Sequence, residues 1–156
     1  MSDVTVRRAT TADVPGWLDS SAALFAEDAG TRDETMNVRF PHELGVDGYA
    51  DLLTKPERLV LVADAGGKIV GHLTGVLTEP SAIRPVRIAT LSSLYVRPAH
   101  RGQHVGAEFV QAFRAWAKEQ QADRIAVTAF ATNEAAIRFY ERQGFAQYTL
   151  TLETTP

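Results

Sequence analysis

One short stretch, in which a strand pattern gives way to a helical one across a glycine turn, limits what this chain can fold into more than any other. Leu91 to Val96 is apolar and aromatic and reads as a short buried strand. Arg97-Pro98 stops it, because Pro98 donates no ladder hydrogen bond and pushes Arg97 out of the helical region. Arg101-Gly102-Gln103-His104-Val105-Gly106 follows, and a helical stripe of Val105, Phe109, Ala112, Phe113 and Trp116 opens straight after it. A strand, a glycine turn and a helix start leave several backbone N–H groups beside the positive end of a helix dipole. That is an anion site made mostly of main chain.

Two nucleotide motifs compete for such a loop, and neither fits. A P-loop ends in Gly-Lys-Ser/Thr, whereas Gly106 is followed by Ala107-Glu108, so no lysine meets a γ-phosphate. The dinucleotide fingerprint needs Gly-x-Gly-x-x-Gly, and here the glycines fall at 102 and 106. What remains is a pyrophosphate cradle without metal-binding side chains. It suits a ligand held through its phosphates but reacting elsewhere, and coenzyme A is such a ligand.

Leu94-Tyr95-Val96-Arg97-Pro98 leading to Arg101-Gly102-x-x-Val105-Gly106 resembles the acyl-CoA-binding motif of the GNAT superfamily of N-acyltransferases. The stretch from Asn133 to Phe145, with Ala136, Phe139-Tyr140 and Gly144-Phe145, resembles that superfamily's second motif. The resemblance implies an α/β (α+β) fold: a mixed sheet of about six to seven strands, about four flanking helices, and two central parallel strands that splay apart. It implies acetyl-CoA as cofactor, its pyrophosphate on the amides of Gln103 to Ala107, with Leu94, Tyr95, Val96, Arg101, Gly102, Asn133, Ala136 and Phe139 around it. It further implies direct attack of a primary amine on the thioester, an oxyanion held by backbone N–H near Leu94 to Val96, and Tyr140 as proton donor. Two departures stand out. His104 occupies a position where the superfamily usually has glycine; its side chain turns outward, or it contacts a phosphate. Ser92 and Ser93 stand where many relatives carry a carboxylate base, which leaves a water relayed past these serines, or Glu27 or Asp28 reaching across.

The rest of the chain reads as one domain over residues 1–156. Sixteen basic against nineteen acidic residues argue against a nucleic-acid partner, and the lack of cysteine excludes disulfides, thiolate metal sites and a cysteine nucleophile. No metal site, signal peptide or membrane span is expected, and a cytoplasmic protein is the default. Val4 to Arg8 alternates as a strand, Thr10 or Thr11 caps a helix with Val14, Trp17, Leu18 and Leu24 on its core face, and Val46 to Leu53 forms a second helix. Between the two helices lie Glu27, Asp28, Asp33 and Glu34, read either as a solvated loop or as carboxylates that attract a protonated amine. Leu59 to Leu77 reads as a hairpin turning at Gly66-Gly67, with Gly71 and Gly75 packed closely on a neighbour and His72 structural. Arg87 to Val96 and Arg124 to Phe130 are strands, a helix starts at Thr132-Asn133 and ends at Gly144, and Tyr148, Leu150 and Leu152 alternate in a final strand. Eleven residues follow Phe145, too few for two long terminal strands, so the acceptor face is expected to be open or completed by a partner subunit, as in a homodimer. A small-molecule amine is the leading acceptor; a protein lysine or N-terminus, and a non-catalytic acyl-CoA-binding regulatory module, are the alternatives.

Overall fold

The structure, a computed structural model, describes residues 3–156. Five strands lie in sequence order: β1 (Val4–Arg8), β2 (Arg58–Ala65), β3 (Lys68–Thr78), β4 (Ile88–Val96) and β5 (Arg124–Val127). The first three junctions are antiparallel and β4–β5 is parallel. Gly66 and Gly67 both have positive φ, 61° and 94°, as a two-residue hairpin turn between β2 and β3 requires.

Helices cover both faces. α1 (Val14–Leu24) continues through a π-helical turn (Phe25–Ala29) into a three-residue α2 (Gly30–Arg32), and α3 (Phe40–Leu52) packs on α1. Alternation in β2 decides which core each residue joins. Val60 and Val62 meet Val14, Trp17, Leu18 and Tyr49 of α1 and α3, whereas Leu59, Leu61 and Ala63 face the other way. On that second face α4 (Val105–Glu119) buries Phe109 and Phe113 completely; truncating such a ring to alanine costs about 3–5 kcal/mol. The expected close packing of β3 holds: a Cβ at Gly71 would lie 2.5 Å from the Tyr95 carbonyl oxygen, and one at Gly75 would lie 3.0 Å from the Phe113 ring. The last helix, α5 (Glu134–Arg142), is capped by Asn133, whose Oδ1 accepts the Ala136 N–H at 3.1 Å, and Gly144 follows it at φ 98°.

Four expectations need correction. Among the described residues the sheet has five strands rather than six to seven, so β5 lies at an edge and ends at Val127, not Phe130. The final strand does not form: residues 146–156 join no ladder, and Tyr148, Leu150 and Leu152 are 74%, 76% and 85% exposed. Alternation specifies a strand only where an edge receives it, and the four-residue β5 offers a short one. The second helix starts six residues earlier than its apolar pattern, at Phe40 rather than Val46, with a kink at Gly45 (φ 71°). The acidic stretch is not a loop at Glu27 and Asp28, because α1 runs on through the π turn.

Candidate active site

The site begins with an irregularity in β4. Thr74 pairs with Ser93 but Gly75 pairs with Leu91, so Ser92 is an extra residue, a β-bulge. One position away, at Leu91–Val127, the parallel pairing with β5 stops while β4 runs on to Val96. Beyond Leu91 the β5 side of β4 has no partner strand among the described residues, and every second amide there faces open space. The two strands splay, and a cleft of about 740 Å³ opens between them.

The start of α4 closes one end of this cleft. His104 caps the helix in the left-handed region at φ 66°, and Gly102 has φ 77° with nothing within 4 Å of a Cβ built on it. A position that demands positive φ favours glycine, which gives a physical sense to the glycine expected at 104; histidine is among the few other residues that enter this region. His104 is exposed and stands at the rim of the cleft it lines, a position compatible with either expectation for its side chain. The amides of Val105, Gly106 and Ala107 fall in the first helical turn, where no carbonyl of the helix can accept them. Their array beside the positive pole of a fifteen-residue helix fits phosphate.

α5 forms the adjoining wall. Ala136, Phe139 and Tyr140 line it, and a Cβ on Gly106 would approach the Phe139 ring to 3.2 Å, so the two helix surfaces nearly touch. Burial pushes the Tyr140 hydroxyl up to about 12, with the charge of Asp28 adding to the effect. It therefore stays protonated at neutral pH and can donate a hydrogen bond into the cleft.

The π turn supplies the third side. Two adjacent residues on it, Glu27 and Asp28, reach different partners. Glu27 Oε2 accepts the Tyr95 hydroxyl at 2.8 Å, and Glu27 Oε1 meets Arg101 Nη2 at 2.7 Å. Partial burial works against the Glu27 charge, but Tyr95 and Arg101 outweigh it and hold the carboxyl below its ordinary range. Asp28 Oδ1 accepts Arg32 Nε at 2.7 Å and Asn133 Nδ2 at 3.1 Å, joining the turn to the α5 cap. Arg101 also donates to the Val96 carbonyl at 2.8 Å and lies over the Tyr95 ring.

Of the residues singled out in the sequence, Ser92, Ser93, Leu94 to Val96, Arg101, Gly102, His104 to Ala107, Asn133, Ala136, Phe139, Tyr140, Glu27 and Asp28 all line this cleft. Gln103 does not; its side chain is exposed and reaches back to the Ala99 carbonyl. Ser93 is engaged with Thr74 Oγ1 at 2.6 Å, while Ser92 on the bulge is exposed. Arg32, His100 and Arg142 line the cleft without having been foreseen. Arg32 had a signal in its i,i+4 spacing from Asp28. His72, fully buried with Nδ1 2.6 Å from Ser20 Oγ, stays outside the lining and neutral, its pKa lowered by burial to about 3.

A bulged strand that outruns its parallel neighbour, an amide-rich helix start and a protonated tyrosine thus line one cleft. The chain belongs to the acetyltransferase (GNAT) family, whose profile matches residues 23–145. An uncharacterized N-acetyltransferase of Mycobacterium tuberculosis is 31% identical over 97 residues, which span 62% of this chain and 58% of that protein. Among solved structures, a transcriptional regulator from Bacillus halodurans is 27% identical with a TM-score of 0.78, covering 97% of this chain and 99% of its own. Aminoglycoside N-acetyltransferase AAC(6')-Iy, solved with CoA, has the same fold at 12% identity and a TM-score of 0.76, over 98% of this chain and 94% of its own.

Proposed function

We propose that residues 1–156 form a single GNAT N-acetyltransferase domain that moves an acetyl group from acetyl-CoA to a primary amine of a small molecule, by direct attack within a ternary complex. The observation that carries this reading is the splay itself: past Leu91, β4 turns unpaired amides toward the space faced by Tyr140. Acetyl-CoA supplies, when bound, an activated thioester. The amides of Val105 to Ala107, with Arg101, are placed to hold its phosphates, and Leu94, Val96, Ala136 and Phe139 offer apolar walls to its arm. Donors fixed on a strand need no reorganisation as an oxyanion develops, which is the source of their catalytic effect.

Tyr140 holds its proton at neutral pH and is the donor to a leaving group that gains negative charge. Its hydroxyl is far less acidic than a thiol, whose ordinary value is about 8.5, so complete transfer from it would be uphill by several kcal/mol. Tyr140 thus acts chiefly as a hydrogen-bond donor unless a proton from the attacking amine replaces its own. Ser92, exposed on the bulge, can hold the water through which that amine loses its proton; Ser93 is engaged with Thr74 and contributes less. The aminoglycoside acetyltransferases that share this fold motivate an acceptor panel of small amines.

The test is thiol release from acetyl-CoA across such a panel, for the wild-type chain and Tyr140→Phe. Turnover should fall about 10²-fold or more in the variant, while calorimetric CoA affinity stays within about twofold. Equal turnover in both proteins removes Tyr140 from the chemistry. Absence of turnover with every amine, with CoA still bound, favours a binding module.

A further inference from the structure

The carboxylates that line the cleft are Glu27 and Asp28, and each already holds an arginine. An ammonium group arriving there meets no lining carboxylate free of a cationic partner. The two pairs differ in how readily the arginine can leave. Arg32 lies outside the anion loop, binds Asp28 and also reaches Thr132, while Asp28 holds Asn133 with the same oxygen. Arg101 belongs to the anion loop itself, three positions before the His104 cap, and both members of its pair are nearly half exposed, 45% and 44%. Glu27 keeps the Tyr95 hydroxyl whatever Arg101 does.

Resting on the reading of this cleft as a CoA site, we propose that the Arg101–Glu27 pair is an exchangeable mask. A phosphate of the carrier draws the Arg101 guanidinium off Glu27, and the freed carboxylate, still positioned by Tyr95, anchors the ammonium form of the acceptor. Glu27 is then an acceptor-positioning residue and Arg101 couples the two substrates. The exchange conserves charge pairing: guanidinium passes from carboxylate to phosphate, and carboxylate passes from guanidinium to ammonium. Phosphate is favoured for Arg101 because it carries the larger charge and sits at the helix pole, while the exposed Arg101–Glu27 pair is weak to begin with. The two substrates consequently bind with positive cooperativity.

The competing role, in which Glu27 merely orients Arg101 toward phosphate, predicts the opposite sign in one measurement. Free CoA is titrated calorimetrically into wild-type protein, Glu27→Gln, Arg101→Gln and the double variant, each checked for folding by its thermal melt. Exchange predicts that Glu27→Gln tightens CoA binding by about twofold, because no ion pair has to be broken first. It also predicts that Arg101→Gln weakens binding, and that Glu27→Gln has no further effect in the Arg101→Gln background. Unchanged or weaker CoA binding in Glu27→Gln overturns the exchange while leaving the CoA site standing. The absence of CoA heat in wild-type protein overturns the site reading itself. Glutamine keeps the shape of Glu27 and an oxygen for the Tyr95 hydroxyl, so a folded variant is expected; should it fail to fold, Glu27→Ala carries the same prediction of sign.

Discussion

Two arginines tie this molecule together, and they are built differently. Arg7 on β1 grips Asp13 with both guanidinium ends, at 2.7 and 2.9 Å, and Asp64 on β2 at 3.0 Å. Each carboxylate also accepts a backbone amide: Asp13 accepts the Thr10 N–H at 2.7 Å and Asp64 accepts the Gly67 N–H at 2.7 Å. That corner welds the first strand, the capping turn before α1 and the β2–β3 hairpin. Arg101 makes one contact to Glu27 and one to a carbonyl, on a side chain left 45% exposed. Bidentate geometry around an Asp13 side chain only 9% exposed cannot be taken apart without stranding a charge. The cleft pair can open and leave both partners solvated. One arginine fixes the scaffold, and the other is free to be taken by a ligand.

The largest effect expected from this contrast is at Asp13. Its hydrogen bond from Arg7 outweighs the burial that opposes ionisation and holds its carboxyl at about 2, against an ordinary 3.8. Linkage converts that shift to about 2 kcal/mol of stability. The sign comes from the depressed value: the contribution is complete above about pH 4 and is lost as the pH falls toward 2. Denaturant melts of Asp13→Asn should show that deficit at pH 7 and converge on the wild type near pH 2. A constant difference across that range would mean that Asp13 acts by shape rather than by charge.

A smaller effect, of opposite direction, is expected at His104. Holding a non-glycine residue at φ 66° costs on the order of 1 kcal/mol, and this residue bears that cost at the rim of the cleft. His104→Gly should raise stability by about 0.5–1 kcal/mol in chemical denaturation, the gain being trimmed by glycine's greater freedom in the unfolded chain. Loss of stability instead would mean that the imidazole makes a contact outweighing its backbone strain.

These positions were legible in the sequence to different degrees. The Arg101–Gly106 loop and the Asn133–Gly144 helix could be read because their signals are local: a proline stop, a capping asparagine, a glycine after the last turn. The Gly66–Gly67 hairpin was legible for the same reason. The bulge at Ser92 was not, since an extra residue is defined only by the register of β3, which composition does not encode. Nor was the partner of Arg101, which lies 74 positions earlier on a π turn that looks like a run of solvated charges. At the other end of the chain, Tyr148, Leu150 and Leu152 carried a strand's alternation without the edge that would have made it one.

Smallest of all should be the structural role of the cleft pair. Glu27→Gln keeps a hydrogen-bonding oxygen for Tyr95 and gives up one half-exposed ion pair, so the fold should lose no more than about 0.5 kcal/mol at pH 7. That is about a quarter of the deficit expected for Asp13→Asn, measured in the same melts. Salt separates the two further: about 1 M salt should erase the Glu27→Gln difference, where the Debye length is roughly 3 Å, and leave most of the less exposed Asp13 difference in place. A Glu27→Gln deficit as large as that of Asp13→Asn, persisting in high salt, would make both arginines scaffold and leave the cleft without a movable charge.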